Sequence, residues 1–395
     1  MKKYMLFILL FVLIFSVQAG AAAGELVDID IKGLQRSNED LVKRQLAFKE
    51  GEIYSEKSLN LSRKRLFNSD LFNPFSLKLD KNEQQENKYQ ITVNAVESGV
   101  FMIHPYEFAI RKAVGLLGEK FSQKIRNPQG NGISYNIAFD WSDDSYQEYG
   151  VEYVGEEGKI YNIDWRDFDR DLEFNDKNFK SDGNFYSFKM QTIPEVNISN
   201  YYSLKYQDND YSSEGLEMEQ HYWTAGYQIE YDNIWELSAG IKYSTDRKED
   251  NDFNKITINV NRDFEIGDSS NLIFDIKAGR ASSDTPFNYY FTGGGFSKND
   301  GGIPIRGQEY ETAGREYIKT TLEYHTELWR ENWLGVIFLD HARFAEAENI
   351  LDPEWETDGG LGVIYQSFLG PIRFDIGFDN LDEEPVIGVG FGNSF

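Results

Sequence analysis

The 395-residue chain carries 66 acidic against 40 basic residues, a formal charge of −26, so it has no basic excess with which to displace counterions from nucleic-acid phosphates. It contains no cysteine, which excludes disulfides, thiolate metal sites and cysteine nucleophiles. Aromatic residues make up 15% of a chain that is otherwise highly charged, a combination that suits an oily outer surface around a polar interior better than a compact water-soluble core.

Met1-Lys2-Lys3, the apolar run Tyr4 to Val17 and the small residues Ala19 to Ala23 read as a secretory signal over residues 1–23. Beyond it no run approaches the roughly 18 consecutive apolar residues that a membrane helix needs. Residues 25–99 read as a small α+β unit ordered β-α-α-β-β. Leu26, Ile29 and Ile31 alternate in a strand that ends at Gly33. Ser37, with Asp40 three residues on, is the expected cap of a helix carrying Leu41, Val42, Gln45 and Leu46. The stretch "SEKSLNLSRKRLFNSDLF" spaces Leu59, Leu66 and Phe67 along a second helix, and "FSLKLD" and "KYQITVNAVE" alternate as strands.

From residue 100 to 395 the alternation is sustained. Tyr135, Ile137, Phe139 and Trp141 oppose Asn136, Ala138, Asp140 and Ser142, and the same two-faced pattern recurs in "WTAGYQIEYD" and "WELSAGIKYS". Strands of about ten residues with one apolar face match the requirement for crossing a bilayer at a tilt. An N-terminal unit and a C-terminus on one side of the membrane demand an even number of strands. Eleven are read before a glycine-rich insertion, beginning with 101–109 and 114–125. Five follow it, at 316–328, 333–345, 358–367, 370–379 and 386–395, giving an all-β membrane barrel of 16 antiparallel strands. Residues 101–125 alternate poorly, and if they are helical the number falls to 14. The links 167–182, 207–215, 246–252 and 283–315 are polar and lie together on one side, opposite short turns.

The insertion "GGGFSKNDGGIPIRGQEY" centres on Ile305, Arg306 and Gly307. Glu323, His325 and Glu327 share the polar face of the strand that follows, whereas Asp340 in the next strand shares its face with Val336 and Phe338. "DFDRDLEFNDKN" lacks the glycine and the glutamate of a calcium loop, and the four histidines show no ligand spacing. No nucleophile elbow, phosphate loop or dinucleotide fingerprint occurs, so no catalytic residue, cofactor or metal is expected.

Residues 25–99 resemble a polypeptide-transport-associated (POTRA) domain at Gly33, "FKEGEIYS", "RLFNSDLFNPFSLKL" and the closing Val96-Glu97. Residues 100–395 resemble the BamA-like outer-membrane assembly and translocation superfamily (bacterial surface antigen family) at "FTGGG", "IPIRGQEY", "GGLGVIYQSFLGPIRFDIGF" and "VIGVGFGNSF". Two features depart from the family: Gln308 stands where an aromatic residue usually follows the Arg-Gly pair, and only one POTRA unit is present.

The resemblance implies a loop folded into the lumen, with Arg306 held by acidic partners at Glu323 and Asp340. It also implies a C-terminal strand signal in Gly388, Phe391 and Phe395. The expected setting is the outer-membrane bilayer with the POTRA domain in the periplasm. Expected partners are unfolded outer-membrane or secreted clients, with periplasmic chaperones or accessory proteins meeting the POTRA domain. The function so implied is assembly, insertion or translocation of proteins through a weak first–last strand seam, without enzymatic catalysis. The alternatives are a passive pore and a two-partner-type secretion transporter.

Overall fold

The computed structural model describes residues 24–81, 88–100, 120–141, 145–174, 177–213, 216–246, 251–294, 302–307, 312–328, 332–346, 355–367, 370–379 and 385–391. Residues 1–23, read as a secretory signal, lie outside them. The chain forms two compact units, one built on the residues up to Ser98 and one on the strands that follow.

The first unit contains β1 (Gly24–Lys32), α1 (Glu39–Lys43), β2 (Ile53–Tyr54), α2 (Glu56–Asn68), β3 (Phe72–Lys81) and β4 (Lys88–Glu97), in the sheet order β2-β1-β4-β3. The two-residue strand β2 interrupts the expected β-α-α-β-β order; it is too short to carry a periodic signal. Asn38, not Ser37, caps α1, its Oδ1 accepting from the Leu41 N–H at 3.1 Å. A reciprocal capping box between Ser55 and Ser58 starts α2. Leu26, Leu41, Val42, Leu59, Leu66, Ile91 and Val93 fill the core. Phe67, expected inside, is 73% exposed, because Leu66 occupies the buried face one residue earlier.

Gly33 adopts φ 91°, and a Cβ there would stand 2.8 Å from the Ala95 carbonyl oxygen, so this turn needs glycine. Glu97 ties the turn down by accepting the backbone N–H groups of Gln35, Arg36 and Ser37 at 3.2, 2.9 and 2.5 Å, and Arg36 Nε at 3.0 Å. Burial pushes its carboxyl up, but the N–H groups of Ser37 and Arg36 outweigh it and hold the group at about 2, below the ordinary 4.5. A folded value below the unfolded one stabilises the domain above about pH 4.5, and that stability is lost as pH falls from there through 2. Glu97→Gln is expected to remove on the order of 3 kcal/mol at neutral pH. Hydrogen exchange at the amides of residues 35–37 should then become fast at neutral pH and lose its acid dependence.

The second unit is a single antiparallel sheet of fifteen strands among the described residues. They are β5 (Lys120–Ile125), β6 (Ile133–Asp140), β7 (Ser145–Val154), β8 (Ile160–Phe174), β9 (Lys177–Glu195), β10 (Ile198–Ser213), β11 (Leu216–Asp232), β12 (Glu236–Asp246), β13 (Asn251–Glu265) and β14 (Ser270–Ala281). After a short ribbon of β15 (Phe291–Gly293) and β16 (Thr312–Gly314) come β17 (Glu316–Glu327), β18 (Trp333–Ala345), β19 (Glu356–Ser367), β20 (Gly370–Phe378) and β21 (Pro385–Phe391). Fifteen strands already exceed the alternative of 14. The strand expected at 101–109 falls outside the described residues, and the one expected at 114–125 is described as β5 from Lys120 on.

The described residues of the expected polar links 167–182 and 207–215 are instead strand: β8, β9, β10 and β11 run for 15, 19, 16 and 17 residues. A membrane crossing needs only about 9–11 residues, so these hairpins project beyond the apolar band, where the sheet meets water on both faces and needs no oily side. That is why their sequence lacks the alternation.

One face of the sheet is oily throughout. Ile163, Ile241, Ile337 and Leu361 are among its exposed apolar side chains, and aromatic pairs such as Tyr149–Trp165, Trp235–Phe264 and Trp333–Tyr365 lie 5.6, 6.2 and 4.7 Å apart between ring centres. Water would be a poor solvent for this face; lipid is a good one. No helix among the described residues is long and apolar enough to cross a membrane.

Candidate functional site

The opposite face of the sheet is polar, and residues 302–307 of the glycine-rich segment between β14 and β17 lie against it. Two contacts seat the segment before the arginine. Ile303 joins Phe291, Ala281 and Tyr317 in a small apolar cluster, and its N–H donates to the Thr292 carbonyl at 2.8 Å. Lys255 Nζ donates to the Tyr289 carbonyl at 2.7 Å and stands 4.0 Å over the Phe291 ring. Gly294, at φ 123°, makes the left-handed turn that leads away from β15. Ile305 is fully buried.

Arg306 is only 2% exposed. Its Nε and Nη2 donate to the two carboxylate oxygens of Asp340 at 2.8 and 2.9 Å, the bidentate match that a planar guanidinium makes and an ammonium cannot. Nη1 donates to Glu323, and the backbone N–H of Arg306 reaches Asp340 at 3.2 Å. Its Cζ lies 3.9 Å over the Phe338 ring. Glu323 and Asp340, singled out from the sequence, therefore both meet Arg306. Register explains how: Thr321 of β17 pairs with Asp340 of β18, and Glu323 pairs with Phe338. Val336, Phe338 and Asp340 all point inward, so the inner face is not uniformly polar; its apolar patch of Val336, Phe338 and Ile364 forms the floor under the guanidinium. Glu327, though on the same strand face, is exposed and lies outside the cluster.

Sequence reasoning missed half of the assembly. Asp340 also accepts Thr321 Oγ1 at 2.7 Å and Lys319 Nζ at 3.2 Å. Glu323 meets His325 Nε2 at 2.6 Å and accepts Arg373 Nη1 and Nη2 at 3.1 and 3.3 Å, and Arg373 Nε donates to Asp375 at 2.7 Å. Among the described residues, three cations, Arg306, Lys319 and Arg373, are thus linked to three anions, Glu323, Asp340 and Asp375, in one buried cluster spanning β17, β18 and β20. A signal was available: Arg373 and Asp375 alternate with Phe374 and Ile376, which places a charged pair on the inner face of "GPIRFDIGF".

Gly307 and Gly377 let two backbones touch. A Cβ on Gly307 would lie 2.7 Å from the Phe378 carbonyl carbon, and one on Gly377 would lie 2.6 Å from the Arg306 carbonyl carbon. At the last strand, Gly388 and Gly390 share the inner face opposite Ile387 and Val389, which are exposed on the outer one. Phe391 ends β21 in register with Ile372, and Phe395 lies outside the described residues.

An oily-outside, charged-inside antiparallel sheet that holds a pinned internal loop and follows a β-α-β-α-β-β module is an outer-membrane β-barrel with a periplasmic POTRA domain. Residues 247–395 match the model of the Omp85 superfamily domain, and residues 25–98 match that of the POTRA domain described as surface antigen variable number repeat. The chain thus combines a POTRA domain with an Omp85 superfamily domain, a pairing that supports a role in outer-membrane protein insertion or translocation.

Among solved structures it is similar to BamA from Haemophilus ducreyi lacking POTRA domains 1–3, at 14% identity over 94% of this chain and 84% of that one, with a TM-score of 0.56. CdiB from Acinetobacter baumannii is similar at 12% identity over 93% and 73%, TM-score 0.66, and CdiB from Escherichia coli at 11% over 93% and 75%, TM-score 0.65. At such identities the likeness is one of fold. No curated protein matches.

Proposed function

We propose that this protein inserts client proteins into the outer membrane by opening its sheet beside β21, without covalent catalysis. One observation carries the reading: the inner face of β21 offers Gly388 and Gly390 in place of side chains, opposite Asp375 and Arg373 of β20. A strand with so little to pack is the cheapest place to separate, and separation presents unpaired N–H and C=O groups to an incoming client strand. In this reading residues 1–23 direct export, 25–99 form the periplasmic domain and 100–395 the barrel. Arg306, Glu323 and Asp340 keep the internal loop seated while the seam works, and the C-terminal residues Gly388, Phe391 and Phe395 deliver this barrel to the assembly machinery. Strand β3, which lies at the edge of the POTRA sheet, offers an extended segment of a client or accessory protein a second place to pair.

The test is reconstitution of the full chain into liposomes, followed by the folding of a urea-unfolded β-barrel client on dilution. Faster client folding than in empty liposomes is expected, with the gain reduced in Arg306→Ala. Equal rates would refute insertion. A steady, large conductance that Arg306→Ala leaves unchanged would instead mark a passive pore, and accumulation of a single secreted protein in the periplasm on depletion would mark a secretion transporter.

A further inference from the structure

A row of residues on the inner face, several strands along the sheet from the Arg306 cluster, meets the glycine-rich segment only through Lys255. Lys189 of β9 is in register with Ser203 of β10, Ser203 with Gly226 of β11, Gly226 with Lys242 of β12, and Lys242 with Lys255 of β13. Their strand neighbours Phe188, Ile241, Tyr243 and Ile256 are exposed on the lipid side, so the row itself points inward. Three lysines thus share one level of the wall, two of them directly opposite each other, an arrangement that repels in a chain of formal charge −26 that has carboxylates to spare.

Little neutralises them. Among the described residues Lys242 makes no ion pair, and Lys255 is engaged by the Tyr289 carbonyl and the Phe291 ring, not by a carboxylate. Lys189 has Asp164 at 3.4 Å, and that carboxylate is shared with Ser187 Oγ at 3.1 Å. Lys189 and Lys242 are both exposed to the lumen. Gly226 leaves the wall bare beside Lys242; a Cβ there would stand 3.4 Å from Lys242 Cγ. Hydroxyls surround the notch, with Thr224 and Ser244 paired at 2.8 Å and Thr257 Oγ1 3.0 Å from where a Cβ of Gly240 would stand. Ammonium groups and hydroxyls around an open notch form a donor set for an oxyanion.

We propose that Lys189, Lys242 and Lys255 bind a phosphate-class oxyanion inside the lumen. Its source is free anion in solution, because the row faces away from the surrounding bilayer. The site is independent of client insertion, and its test does not depend on that activity.

The experiment titrates inorganic phosphate into the detergent-solubilised full chain at constant ionic strength and follows binding by phosphorus-31 line width. Saturable binding in the millimolar range is expected. Lys242→Gln should weaken it about tenfold, whereas Lys242→Arg, which keeps the charge, should stay within about threefold. Lys205→Gln removes an equal charge outside the row, at a lysine that lies 4.0 Å over the Phe185 ring, and should leave affinity within about twofold. All variants should retain the heat-dependent gel mobility of a folded barrel, which separates loss of the site from loss of the fold. Absence of saturable binding in the natural chain, or equal weakening by Lys205→Gln and Lys242→Gln, would overturn the proposal.

Discussion

Asp340→Ala is expected to unseat the internal loop more severely than Arg306→Ala, although the two residues are partners. Removing Arg306 leaves Asp340 with Lys319 and Thr321, and leaves Glu323 with Arg373 and His325, so neither anion is stranded. Removing Asp340 strands two cations at once. Lys319 is buried and loses its only carboxylate partner among the described residues, and Arg306 keeps Glu323 alone. Breaking one partner out of a buried pair costs roughly 3–5 kcal/mol, with Asp340→Ala placed at the upper end and Arg306→Ala at the lower. Hydrogen exchange over residues 302–307 and 312–316 would read the difference, and the double substitution should cost less than the sum of the two because the residues share one network. Equal exchange in the two single variants would show that Lys319 does not depend on Asp340. Arg306→Lys should behave more like alanine than like arginine, since one ammonium cannot serve Asp340 bidentately and Glu323 together.

Gly377→Val should displace the same loop while leaving every charge in place. Its Cβ would lie 2.6 Å from the Arg306 carbonyl carbon and 3.1 Å from Gly307 Cα. These are backbone atoms, so no rotamer change relieves the clash, and either β20 bends or the loop lifts. Overpacking of this kind costs typically 1–3 kcal/mol or more, and a lift of even an ångström spoils the two-point geometry at Asp340. Fast exchange at residues 302–307 with unchanged protection in β17 and β18 is the expected pattern. Protected loop amides in this variant would mean that β20 bends to accommodate the side chain. In that case the glycine pair is not what holds the loop against the strand.

Much of this architecture was legible because a membrane barrel must repeat one instruction many times. Each strand alternates between lipid and lumen, so Tyr135, Ile137 and Phe139, or Leu237, Ala239 and Ile241, announce both strand and orientation without reference to any neighbour. The reading failed where that instruction lapses. In the hairpins β8–β9 and β10–β11 the strands continue into water, lose the alternation and look like polar links. The two-residue β2 is shorter than any period, and Phe67 sits one position off the buried stripe of α2.

At the candidate site, alternation along β17 by itself put Glu323, His325 and Glu327 on the polar face, and the family resemblance implied Glu323 and Asp340 as the partners of Arg306. Only the tertiary structure decided that Phe338 turns inward as a floor, that Lys319 shares Asp340, and that Arg373 and Asp375 arrive from β20 to join the cluster. The physical reason is range. Alternation is a property of one strand against its solvent, whereas the balance of a buried charge cluster depends on which strands the closing sheet brings side by side, roughly fifty residues apart in the chain between Glu323 and Arg373.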